Sequence, residues 1–66
     1  MLRPDESYEL NGSVAIRTTP KAVLVRLDDL TERWIPRSAC VDGDDIEEGT
    51  EDISVHAWWA EQEGVL

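Results

Sequence analysis

Phenylalanine is absent from this chain of 66 residues, and histidine and cysteine occur once each, as His56 and Cys40. A lone cysteine excludes an internal disulfide, and a free thiol fits a reducing compartment better than secretion. With no glycine-rich phosphate loop and no Ser-His-Asp set, little is left from which to build a catalytic centre. No apolar run approaches the length of a bilayer span, and Met1–Asp5 lacks the features of a secretory signal. A soluble, cytoplasmic protein with no membrane association and no cofactor is expected. Basic residues are also scarce: Lys and Arg number 6 against 15 Asp and Glu, giving a net charge of −9.

The imbalance is one-sided. Residues 1–37 carry six acids and all six bases, whereas residues 38–66 carry nine acids and no base, which accounts for the whole −9. Direct contact with nucleic acid needs positive potential, so a half-neutral, half-acidic domain is a poor candidate for it. The same field attracts a protein with a basic surface, besides conferring solubility.

What the chain does have is a strand pattern. In Ala22–Leu27, Val23, Val25 and Leu27 fall on one face, with Ala22, Leu24 and Arg26 on the other, the period of two of a half-buried strand. Asp28-Asp29-Leu30-Thr31 is a turn, Glu32–Ile35 resumes the strand, and Pro36 stops it. Lys21–Ser38 is therefore expected to form an antiparallel hairpin. Before it, Ser7–Leu10 forms a short strand, Asn11-Gly12 a turn, and Ser13–Thr18 a strand with Val14 and Ile16 inward and Ala15 and Arg17 outward. After it, Arg37–Val41 suits either a short strand or a single helical turn. Asp42–Asp52 holds seven acids in eleven residues and reads as a solvated loop. Ile53–Val55 closes the sheet. His56–Glu63 is a short helix that must dock on the sheet to persist, with Gly64 as its left-handed cap and apolar Val65 beyond.

These elements predict one mainly β domain over residues 1–66, with 1–6 a frayed terminus. A small SH3-like or OB-like barrel of about five short strands carries a short C-terminal helix. Its expected core is Val14, Ile16, Val23, Val25, Leu27, Ile35, Ile53, Val55 and Trp59. A domain of this size buries only about 60% of its unfolded surface, so a homodimer is plausible. The three tryptophans supply bulk, with two expected in the core and the third left for solvent or a partner.

Chemical sites are weighed against plain structural roles. His56 and Cys40 read as a helix-start histidine and a small buried thiol rather than a nucleophile–base pair. Asp44 and Asp45 are adjacent in a loop, whereas acid–base work needs held geometry. Asp42-Gly43-Asp44-Asp45 resembles the opening of a calcium loop. Counting from Asp42, however, Ile46 takes the fifth position, Glu47 the sixth and Ile53 the twelfth, so the ligand pattern fails and no metal site is expected. Arg17, Lys21, Arg26, Arg33 and Arg37 gather on the hairpin side, where a charge-balanced surface is expected.

The ordered pieces KAVLV (Lys21–Val25), ERWIPRS (Glu32–Ser38) and V-x-x-W-x-A-E-x-x-G (Val55–Gly64) resemble a family of short, acidic phage proteins. The resemblance implies a phage setting, a host cytoplasm and a compact β fold; it implies no reaction. Members of that family commonly carry a shorter, glycine-containing turn in place of Asp28–Thr31, and lysines near Gln62 and Glu63, so this chain is the more acidic. Glu6-Ser7-Tyr8 also resembles the Glu-Ser-aliphatic tripeptide of phage inhibitors of uracil-DNA glycosylase, acidic DNA mimics that present it on an edge strand. Here the third position is tyrosine.

The functional expectation is a non-enzymatic, acidic phage-type protein that binds a host DNA-binding or DNA-repair enzyme as a DNA mimic. Uracil-DNA glycosylase is the most concrete target. Carboxylates of Asp42, Asp44, Asp45, Glu47, Glu48, Glu51 and Asp52, with Glu6, Ser7 and Glu9, would take the places of phosphates, and Tyr8 or a tryptophan would supply an apolar anchor. The alternatives are an adaptor in a phage replication or recombination complex, and a nucleic-acid binder working through the hairpin arginines.

Overall fold

The structure is a computed structural model and describes residues 6–64. Residues 1–5, which carry most of the expected frayed terminus, and Val65 lie outside that range. Glu6, the last residue of that expectation, is tied down: its carbonyl accepts a hydrogen bond from Ala57 N at 2.8 Å.

Alternating hydrophobicity resolves into five strands: β1 (Ser7–Glu9), β2 (Val14–Thr18), β3 (Ala22–Arg26), β4 (Glu32–Pro36) and β5 (Ser54–His56). They form two antiparallel sheets, β1-β5 and β2-β3-β4. A single 3-10 turn, Arg37–Ala39, follows β4, and a second, Gly43–Asp45, lies within the acidic tract. A six-residue helix α1 (Ala57–Gln62) follows β5 directly. Gly64 adopts φ +72° just beyond it, a backbone region open to glycine at little cost. The fold is thus mainly β with a short C-terminal helix.

Pro36 does not end β4 early; it is the last residue of the strand, opposite Ala22. The bonds Leu27 N to Thr31 O and Arg37 N to Lys21 O set the ladder's alternation, which turns the backbone groups of Glu32, Trp34 and Pro36 away from β3. The proline therefore forfeits no ladder bond. β4 is an edge, where proline is tolerated.

Asn11-Gly12 turns the chain between sheets, because β1 pairs with β5 and not with β2. Ser13 secures that corner. It is buried, its hydroxyl donates to Leu10 O at 2.6 Å, and the same oxygen accepts from Ile53 N at 2.9 Å.

The expected facing of β2 is reversed at Val14, Ala15 and Ile16, while Arg17 points outward as expected. Ala15 is buried, while Val14 and Ile16 are only half-buried. Register is the cause: Val14 pairs with Arg26 and Ala15 with the buried Val25, and a bulge between Ala15 and Arg17 then displaces Ile16. A one-residue shift of pairing moves every side chain to the other face. Val23, Val25, Ile35, Ile53, Val55 and Trp59 are buried as expected, and Leu27 packs against them half-buried. Leu10, Ala39, Cys40, Ile46, Ala57 and Ala60 complete the interior.

Only Trp59 among the tryptophans is in the core; Trp34 is 48% exposed and Trp58 44%. The expectation of two core tryptophans is corrected for a geometric reason. Trp34 alternates with the inward Ile35 on an edge strand, and Trp58 stands roughly 100° around the helix from Trp59. Arg33 joins β4 to the helix, its guanidinium 5.8 Å from the Trp59 ring centroid and 3.3 Å from Glu63 Oε1.

Candidate acidic interaction surface

The tract Asp42–Asp52 is not a free loop. Within it the backbone is bonded at almost every turn: Asp45 N to Asp42 O at 2.9 Å, Gly49 N to Ala15 O at 2.7 Å, and Asp52 N to Ser13 O at 2.9 Å. Thr50 O accepts from Ala15 N at 2.8 Å, and Glu51 bridges Val14. Ile46, the one large apolar residue of the run, is buried and pins it to the core. Arg37 completes the clasp by donating to the carbonyls of Gly43 and Ile46 and, through Nε, to Thr19 O at 2.9 Å. A solvated loop is what the side chains alone predict. Their charge says nothing of where the backbone polar groups go.

The side chains themselves are in water. Asp42, Asp44, Asp45, Glu47, Glu48, Glu51 and Asp52 are all exposed. Both ion pairs among the described residues lie elsewhere, Arg26–Glu32 at 3.2 Å and Arg33–Glu63 at 3.3 Å. Of the tract's carboxylates, Asp52 has a structural bond, accepting from Gly12 N at 2.9 Å. That contact places the end of the tract beside the β1–β2 turn, one corner from Glu9. Glu6 is exposed just before β1, and Ser7 and Glu9 are exposed along it, with Glu9 paired to Ser54 two residues beyond Asp52.

Tyr8, expected as an anchor, lines a cleft beside the β3–β4 turn. It is half-buried and packs against the core, because its neighbours Ser7 and Glu9 take the outward face of β1. Trp34, Trp58 and Leu30 are the large exposed apolar side chains among the described residues.

Sequence reasoning did not find the cavity inside the tract. A hollow of about 240 Å³ is lined by Val41, Ile46 and Ile53 together with Asp42, Asp45 and Asp52. The two isoleucines are buried and the three aspartates exposed, an apolar base and a carboxylate rim to which Thr50 and Ser54 add polar lining. Ile46, isolated among acids, was the available signal. Asp42 and Asp52 both adopt left-handed backbone, φ 53° and 52°, a conformation aspartate tolerates better than most residues. No group of three or more metal-ligating side chains is assembled among the described residues.

Cys40 lies opposite Val55 and its thiol donates to Pro36 O at 3.6 Å; burial pushes the thiol pKa up to about 11, away from the reactive range. His56 is on β5 opposite Ser7. Asp29 is held below the ordinary carboxylate range by the Thr31 hydroxyl and N–H, at 2.6 and 3.0 Å, which shape the β3–β4 turn. No helix among the described residues is long and apolar enough to cross a membrane. No protein-family model, curated protein or solved structure matches this chain.

Proposed function

We propose that the protein is a non-enzymatic binding protein that offers ordered carboxylates to a basic groove, in the manner of a DNA mimic. The observation that carries this reading is the hollow ringed by Asp42, Asp45 and Asp52, whose rim has no ion-pair partner among the described residues. A lysine or arginine has an aliphatic stem and a charged head, which suit an apolar base and an acidic rim. The surrounding Asp44, Glu47, Glu48 and Glu51 would steer such a partner and weaken with salt.

A DNA-processing enzyme of the host is the class of partner, with uracil-DNA glycosylase the specific case to try. Purified protein should release a uracil-containing oligonucleotide from that enzyme at low salt and progressively less at high salt. The triple variant Asp42→Asn/Asp45→Asn/Asp52→Asn should lose this, and the loss of competition by wild type would discard the enzyme as target. Failure to bind any immobilised basic DNA-binding protein would discard the mimicry itself.

Binding of nucleic acid through the hairpin arginines is the weaker reading. Arg26 and Arg33 are engaged with Glu32 and Glu63, and Arg37 is spent on backbone carbonyls. The adaptor reading draws on Trp34 and Trp58, since exposed tryptophans favour protein contact. An adaptor would bind the enzyme without displacing its oligonucleotide.

A further inference from the structure

The two sheets leave an opening. A cleft of about 570 Å³ has Tyr8 of β1 on one wall and Leu27, Asp28, Asp29, Thr31 and Arg33 of the β3–β4 hairpin on the other. β1 has β5 on one side only. The bonds Ala57 N to Glu6 O and Leu10 N to Ile53 O assign the even positions of β1 to β5, so the backbone groups of Ser7 and Glu9 point the other way. Of these, Glu9 O accepts from Asn11 N at 3.1 Å. Ser7 N–H, Ser7 C=O and Glu9 N–H have no bond among the described residues. They are the donor, acceptor and donor of an incomplete ladder.

We infer that the β1 edge receives an extended, lysine- or arginine-bearing segment of a partner protein as an added strand. This rests on the reading of a basic partner and gives it a docking line. Main-chain bonds to Ser7 and Glu9 would supply affinity, and alternate side chains would meet the flanking groups. Those groups select for charge: Glu6 and Glu9 lie along the strand, and Asp28 and Asp29 lie along the cleft. The one base on the cleft wall, Arg33, is engaged by Glu63 and Trp59. A second copy is disfavoured at this edge, because it would lay beside β1 another strand carrying Glu6 and Glu9, adding like charge to like. Edges are commonly guarded by short length and charge. Here the guard excludes an acidic strand and admits a basic one. The β4 edge is the poorer seat for a basic segment, since Pro36 offers no N–H there, Arg33 lies in the strand and Arg37 follows its end.

The test is amide exchange by NMR on the full chain, with a short acetylated peptide of alternating lysine and valine as probe. In the free protein the Ser7 and Glu9 amides should exchange faster than that of Leu10; equal protection would show the edge already paired and overturn the proposal. Adding the probe should protect Ser7 and Glu9. N-methylating the probe at the amides that face β1 should weaken binding by about fivefold per bond removed. Binding that perturbs only Asp42–Asp52, or only β4, overturns the edge while leaving the acidic-surface reading intact. Absence of probe binding with retained oligonucleotide release does the same. Absence of probe binding together with failure to bind any immobilised basic DNA-binding protein removes both.

Discussion

Gly43 lies against Arg37 so closely that a methyl group there would overlap the Arg37 carbonyl oxygen and stand 3.2 Å from its Cα. The Arg37 guanidinium in turn donates to Gly43 O. Backbone cannot retreat as a flexible side chain can, so Gly43→Ala should lower stability by about 2–3 kcal/mol, read from the urea midpoint. Arg37→Lys keeps the charge but loses the fork that reaches several carbonyls, and should cost about 1–3 kcal/mol. If both variants unfold like wild type, the clasp on the acidic tract is not formed.

Ser13 joins the sheets with one hydroxyl. Ser13→Ala strands the Ile53 N–H in a buried corner, at a cost of about 1–3 kcal/mol. Exchange at the Ile53 amide should accelerate beyond that global loss. A change confined to the overall midpoint would mean that the bond does not protect that amide locally.

Stability should fall above pH 9 through Cys40. Its native pKa, raised by burial from 9.0 to about 11 with partial opposition from the Arg37 charge, exceeds that of the unfolded thiol. The native chain therefore keeps a proton that the unfolded chain loses. The contribution is complete below pH 9 and is lost as pH rises towards 11, amounting to about 1–2 kcal/mol. Cys40→Ala should flatten the urea-midpoint profile over that interval relative to wild type, even if less stable at every pH. Parallel profiles would contradict the buried thiol.

The tryptophans should separate cleanly. Trp59→Ala removes a core ring and should cost about 3–5 kcal/mol, whereas Trp34→Ala on the outer sheet face should cost about 1 kcal/mol or less. Acrylamide should quench Trp34 and Trp58 readily and Trp59 poorly, as measured on variants keeping one tryptophan each. Comparable stability losses for Trp34 and Trp59 would reverse the facing of β4.

Unpaired carboxylates repel one another, so the acidic half carries a load that salt relieves. Raising salt to about 0.15 M should raise the denaturation midpoint, and Glu47→Gln with Glu48→Gln should reduce that salt response. Insensitivity to salt would point to neutralisation within the fold.

Much of this architecture was legible residue by residue. Val23, Val25 and Ile35 face inward because alternation within one hairpin is a local property, and the composition places every excess negative charge after Arg37 whatever the fold. Gly64 marks the helix end for the same local reason. Four features were not legible. The facing of Val14, Ala15 and Ile16 depends on a register shared with β3, and a single bulge inverts it. The path of Asp42–Asp52 depends on backbone bonds to Ala15, Ser13 and Arg37, which side-chain charge does not encode. The meeting of Asp42, Asp45 and Asp52 over Ile46 and Ile53, and the open edge at Ser7 and Glu9, arise from segments far apart in the chain. The sequence by itself determined the charge asymmetry, the strand-forming runs and the lack of a motif for catalysis. Only the tertiary structure decided which strands pair, which tryptophans meet solvent and where the carboxylates converge. Pairing partners are chosen by contacts that close the whole fold, not by the alternation of any one strand.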